Sequence, residues 1–180
     1  MDKICAIIDC QGFQLKNGFF PREIAIASDI ITQCQEINAC IEWDELSDES
    51  KQTIFYTTKF LNGLHHYPFN NKNFCFLPKI NQIENIINTW YNMVSTDEKQ
   101  YFGVKNIQMA NILTMFNIPF IDLNLDVYNV PNYKTLQEKY NDKYVCAIHK
   151  KPRKNVTFTC SLRKVCHLFR YLNEMLENTK

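Results

Sequence analysis

The stretch that most constrains this chain is ICAIIDCQGFQLKNGFFPREIAIAS, residues 4–28. Ile4–Asp9 is a nearly continuous apolar run, the pattern of a strand buried on both faces. Gly12 and the pair Asn17-Gly18 follow it. Asn-Gly between apolar runs is the strongest short hairpin signal, because both turn positions need a positive φ. Glu23–Ser28 then reads as the returning antiparallel strand. A buried strand carrying a hairpin must sit near the middle of a sheet, and later segments must cover its two faces.

The remaining segments supply that cover. Ala39–Trp43 (ACIEW) reads as a third, shorter strand. Ser47 followed by Asp48 and Glu49 predicts a capped helix running to about Phe60, with Gly63 ending it. Leu64–Phe69 is a loop, and 70–76 is irregular. Ile80, Ile83, Ile86, Ile87 and Trp90 recur at three- and four-residue spacing, which predicts an amphipathic helix over 80–94. Gln100–Val104 is a fourth strand, Ile107–Phe116 a helix and Pro119–Leu123 a fifth strand. Residues 124–145 form a loop with a short helix near Leu136–Tyr140. The final helix begins near Cys160. Three strands in a meander followed by two on crossover connections predict an α/β fold with a mixed five-stranded sheet, three antiparallel strands then two parallel, flanked by helices. The whole chain, 1–180, reads as a single domain.

Charge and cysteine content bound the chemistry. Twenty basic residues against nineteen acidic ones leave a net charge of +1, so no global field announces a nucleic acid and any basic surface is local. The local candidates are Lys150, Lys151, Arg153 and Lys154 in one loop, with Arg163 and Lys164 on the last helix. A solvated face is the plain alternative for such a cluster. No apolar stretch approaches the roughly 20 residues that span a bilayer. Met1-Asp2-Lys3 leads into the first strand with no small-residue cleavage site, so the expectation is an intracellular chain, cytoplasmic or nuclear, without a membrane partner. Eight cysteines there are reduced thiols or metal ligands rather than disulfides.

The stretch YVCAIHKKPRKNVTFTCSLRKVCHLF, residues 144–169, holds the densest chemistry. Cys146 and His149 are spaced as a Cys-x2-His pair, and a basic loop separates them from Cys160 at the mouth of the last helix. Close ligand pairs joined across a longer loop are a zinc arrangement, with one ligand still to come from elsewhere. The alternative is that these cysteines are small buried hydrophobes. Cys5, Cys10, Cys34, Cys40 and Cys75 lack paired spacing and read as thiols in or near the core. Cys166 has core spacing with Leu162 and Phe169, and His167 is expected on the exposed side. His65 and His66 read as loop histidines. Phe13, Phe19 and Phe20 on the first hairpin either cap the core edge or offer rings on which single-stranded bases stack.

The strand–turn–strand IIDCQGF…PREIAIA, the segment LHHYPF after a helix and the overall element order together resemble the RNase H-like fold of the DEDDh exonuclease superfamily, over nearly the whole chain. In that family carboxylates hold two metal ions against a phosphodiester. Asp9 matches the first acid. The second falls on Gln11, residues 103–111 (GVKNIQMAN) hold no acid and add Lys105, and the final motif falls on Cys160 and Val165. The resemblance therefore implies a catalytically degenerate nuclease fold, in which Asp9 is a strand-end carboxylate. The Maelstrom domain, a variant of that lineage, looks like the same fold with a Glu-Cys-His-Cys zinc site in place of the acids. Matched residue by residue, it implies one structural Zn2+ held by Glu23, Cys146, His149 and Cys160. Glu23 has other readings: the ordinary strand-two glutamate of active nucleases, or an ion pair with Arg22 or Lys164. The expected role is a binding module for single-stranded RNA, another nucleic acid or a protein. The competing expectation is a weak ribonuclease, not using two metals, that depends on His65, His66 or Lys105.

Overall fold

The computed structural model describes residues 2–38, 41–64, 77–141, 149 and 159–178. Its elements run β1 (Ile4–Leu15), β2 (Gly18–Ala27), β3 (Thr32–Glu36), α1 (Asp48–Tyr56), α2 (Ile83–Val94), β4 (Tyr101–Val104), α3 (Ile107–Met115), β5 (Phe120–Asp122), α4 (Tyr133–Tyr140) and α5 (Ser161–Glu177). The architecture is α/β, an open five-stranded sheet in the order β3-β2-β1-β4-β5. β1 pairs antiparallel with β2, and β2 with β3; β4 runs parallel to both β1 and β5.

Local chemistry explains most of these boundaries. Gly18 takes φ 133° at the hairpin tip, a backbone region that glycine enters at little cost. Ser47 caps α1 by accepting the Ser50 backbone N–H at 3.2 Å. Asn106 and Asn132 do the same for α3 and α4. α1 widens at its end into a π turn over Thr57–Leu61.

The third strand differs from the sequence expectation. It is Thr32–Glu36 (TQCQE), not 39–43. Ala39 and Cys40 lie outside the described residues, and Trp43 opens a short 3-10 turn. An edge strand pairs on one side only, so TQCQE needs no apolar run to belong to the sheet.

The sheet has two apolar faces. Ile8, Cys10, Ile24 and Ile26 pack under α2 and α3, against Ile87, Trp90, Met109 and Leu113. Ile4, Ile7, Ala25 and Ala27 pack under α5, against Leu162, Val165, Leu168 and Leu172. By the two-residue period of strands, Asp9 falls on the second face with Ile7, and Glu23 with Ala25. Both carboxylates therefore face the beginning of α5.

Candidate metal centre

A β-bulge sets the position of Glu23. Gln11 pairs with Glu23 but Gly12 pairs with Pro21, so Arg22 is an extra residue on β2. The strands approach closely there. A Cβ on Gly12 would stand 2.0 Å from the Phe20 carbonyl oxygen, which leaves room for glycine alone. Beyond the bulge Glu23 is fully buried, while Arg22 is covered and ion-paired to Glu36 at 3.0 Å. Lys164 is engaged with Asp9 at 3.5 Å. Neither basic residue is the partner of Glu23.

Glu23 instead meets the start of α5 and His149. Its Oε1 accepts the Ser161 backbone N–H at 2.7 Å, so the carboxylate meets the first turn of the helix, where the dipole favours an anion. Its Oε2 lies 3.0 Å from Nε2 of His149, whose side chain is only 7% exposed. Cys160, the residue before α5, is buried beside them. One donor atom from each of Glu23, His149 and Cys160 falls within 4.8 Å of the others.

The outer contacts suit ligation. His149 Nδ1 donates to the backbone carbonyl of Asn62, just past the π turn. That fixes the tautomer with the Nε2 lone pair toward Glu23, the usual outer support of a metal-bound histidine. A lone pair and a carboxylate oxygen at 3.0 Å need a proton or a cation between them. The π turn also holds the approach to Cys160. The Thr159 N–H donates to the Leu61 carbonyl at 2.9 Å, and its hydroxyl donates to Gln11 Oε1 at 3.0 Å. Three donors of mixed N, O and S type, from β2, from position 149 and from the residue before α5, form a group that could bind a metal ion.

Cys34 is the residue that sequence reasoning missed. Its Sγ lies 3.7 Å from Glu23 Oε2. It sits on β3 opposite Ala25, on the face shared with Glu23. Spacing along the chain gives no hint of it; the register of β3 would have done so.

Asp9 stands apart from this group. It lines a cavity of about 160 Å3 together with Lys105, Asn106, Asn132, Tyr133 and Lys164. Burial pushes its carboxyl above the ordinary range, opposed first by the charge of Lys164 and then by the side chains of Asn106 and Ser161.

The other expected residues divide clearly. Cys146, Lys150, Lys151, Arg153 and Lys154 lie outside the described residues, as do His65, His66, Cys40 and Cys75. Arg163 and Lys164 are half-buried on the first turns of α5, and Lys164 turns into the Asp9 cavity. Phe13 is fully buried in a small cluster with Leu15, Ile41 and Ile54, so it offers no ring to a base; Phe19 and Phe20 are half-buried. His167 is buried, not exposed, with Tyr133 at 6.1 Å and Tyr140 at 5.4 Å between ring centres. α4 packs on α5 at that side and widens the buried stripe. Cys166 is half-buried. Cys5 and Cys10 are core thiols, and burial pushes Cys5 up to about 11. Among the described residues, no helix is long and apolar enough to cross a membrane. No family model matches the chain, and neither does a curated protein or a solved structure.

Proposed function

We propose that this chain is a catalytically degenerate RNase H-like protein of the DEDDh lineage, similar to the Maelstrom domain, that binds single-stranded RNA. A structural Zn2+ would be held by Glu23, Cys146, His149 and Cys160. The observation that carries this reading is the convergence of Glu23, His149 and Cys160 on one point between β2 and the mouth of α5. Zinc fits that donor set: it takes carboxylate, imidazole and thiolate together, with bonds of about 2.0–2.3 Å. Cys146 would be the fourth protein ligand. A filled shell has no open position for water, so the ion's contribution is folding free energy rather than hydrolysis.

The degenerate reading also draws support from the other carboxylate. Gln11, the neighbour of Asp9 along β1, is a neutral amide, and the Lys164 ammonium lies 3.5 Å from Asp9. A hard dication needs several oxygen ligands, and an ammonium beside the one carboxylate opposes it.

The test is the metal content of the purified chain beside a Cys146→Ala, Cys160→Ala variant. About one zinc per chain, absent from the variant together with much of its thermal stability, is the expected result. A zinc-free chain of full stability overturns the metal reading. RNA binding is tested separately with Lys150, Lys151, Arg153 and Lys154 all changed to Ala. Affinity should fall, and the slope of log K against log salt should flatten by roughly 0.7 for each phosphate that is no longer neutralised. No binding of single-stranded RNA even at low salt would leave a protein-interaction scaffold.

A further inference from the structure

The Asp9 cavity is lined by none of Glu23, His149 and Cys160. It is small, about 160 Å3, and it opens between β1, α3, α4 and α5. Two lysines line it. Lys164 Nζ lies 3.5 Å from Asp9 Oδ2, and Lys105 Nζ donates to the Val130 carbonyl at 2.9 Å, leaving further N–H donors. α3 and α4 both begin at its wall, through their capping residues Asn106 and Asn132. Two helix N-termini and two ammonium groups thus surround one carboxylate, and the balance of charge at the wall is positive.

The carboxylate itself is incompletely satisfied. Asp9 is 4% exposed, and among the described residues its buried Oδ2 accepts no hydrogen bond. The side chains of Asn106 and Ser161 also bear on this carboxyl, and the Lys164 ammonium stands 3.5 Å away, beyond good hydrogen-bond length, yet Oδ2 itself is left without a donor. A buried acceptor facing a positive cavity calls for a ligand that is anionic yet brings a donor of its own.

The geometry points to a site for a hydrogen-phosphate group, either free inorganic phosphate or the singly protonated head of a phosphate monoester. Its oxygens would take Lys105, Lys164 and the helix N-termini, and its P–OH would donate to Asp9 Oδ2. That one O–H···O contact separates phosphate from sulfate. It needs one proton, which hydrogen phosphate brings and sulfate lacks, so sulfate would leave two acceptors facing each other. Its ligand has the opposite sign of charge to the one that the Glu23 group suits.

The experiment is calorimetric titration of the zinc-replete protein at pH 7.5 with inorganic phosphate, sulfate, adenosine 5′-monophosphate and magnesium chloride. Saturable phosphate binding, with sulfate at least tenfold weaker, is the expected result. Lys105→Met and Lys164→Met should each weaken phosphate by roughly tenfold or more, since each removes a charged hydrogen bond. Asp9→Asn is the decisive variant. It should still bind phosphate and should gain sulfate, because the amide donates where the carboxylate cannot. Circular dichroism confirms that each variant is folded. Magnesium binding that Asp9→Asn abolishes would overturn the proposal. So would equal affinity for phosphate and sulfate in the unaltered chain, or no saturable phosphate binding up to about 10 mM. A pair of oligoribonucleotides with and without a 5′-phosphate separates the two sources. Preference for the phosphorylated one assigns the site to an RNA end. Equal affinity for inorganic phosphate and the mononucleotide, with neither oligonucleotide tighter, assigns it to a free small molecule.

Discussion

Asp9 and Glu23 stand on neighbouring strands of one sheet face, and both look at the opening turns of α5. Their surroundings nevertheless differ in kind. Glu23 meets an imidazole, two thiols and a helix N–H. Asp9 meets an ammonium and amides. Backbone position is nearly shared, so the difference lies in what the later segments deliver. Imidazole and sulfur donors around Glu23 favour a cation. Lysines around Asp9 favour an anion. A fold fixes where a carboxylate stands, while a few side chains from distant elements decide the sign of charge it is built to meet.

The contrast breaks most decisively at Glu23. Glu23→Ala removes a metal donor and leaves a buried site without its charge partner, a change that costs about 3–5 kcal/mol for a buried pair. Metal analysis should show loss of the ion, and denaturant melts a large fall in stability. Gln11→Glu asks whether the Asp9 side can be turned toward cations. It places a carboxylate where Thr159 now donates to an amide oxygen, in a residue only 8% exposed. A cost of about 1–3 kcal/mol and no magnesium-dependent cleavage of single-stranded RNA are expected. Magnesium-dependent cleavage would show that one acid restores a two-metal centre. Cys34→Ser probes the outer contact of the Glu23 centre. Metal affinity should fall by roughly tenfold with little change in fold, read by competition with a chelator.

The smallest effect is on pH dependence. Burial raises the folded-state titration of Asp9 above its ordinary value of 3.8. A group raised in this way contributes stability that is fully present below the unfolded value and is lost as pH climbs through the folded one. Asp9→Asn should therefore melt like the natural chain near pH 3 and higher than it above the elevated value. Melting curves from pH 3 to 8 check this; a variant destabilised at pH 8 would mean that the Lys164 pair outweighs the burial cost.

Much of this was legible in the chain because it rested on local rules. The first hairpin, whose strands meet at Leu15 and Gly18, the cap at Ser47, and the apolar periods of α2 and α5 all follow from short-range chemistry. What escaped notice depended on partners. β3 is polar because an edge strand answers to one neighbour, and misplacing it hid Cys34. His167 reads as exposed because α5 alone presents one apolar stripe, whereas α4 covers a second. The inward turn of Lys164 depends on Asp9, 155 positions earlier in the numbering, and no spacing along α5 reveals it.

The hydrogen bond between Glu23 and the Ser161 backbone spans 138 residues of chain. Its consequence appears during synthesis. At about 5–20 residues per second, the ribosome delivers Ser161 roughly 7–28 s after Glu23. Until then the hairpin exposes a carboxylate destined for burial, beside alanines and isoleucines with no helix to cover them. The Glu23 group and the Asp9 cavity are thus among the last features the nascent chain can complete.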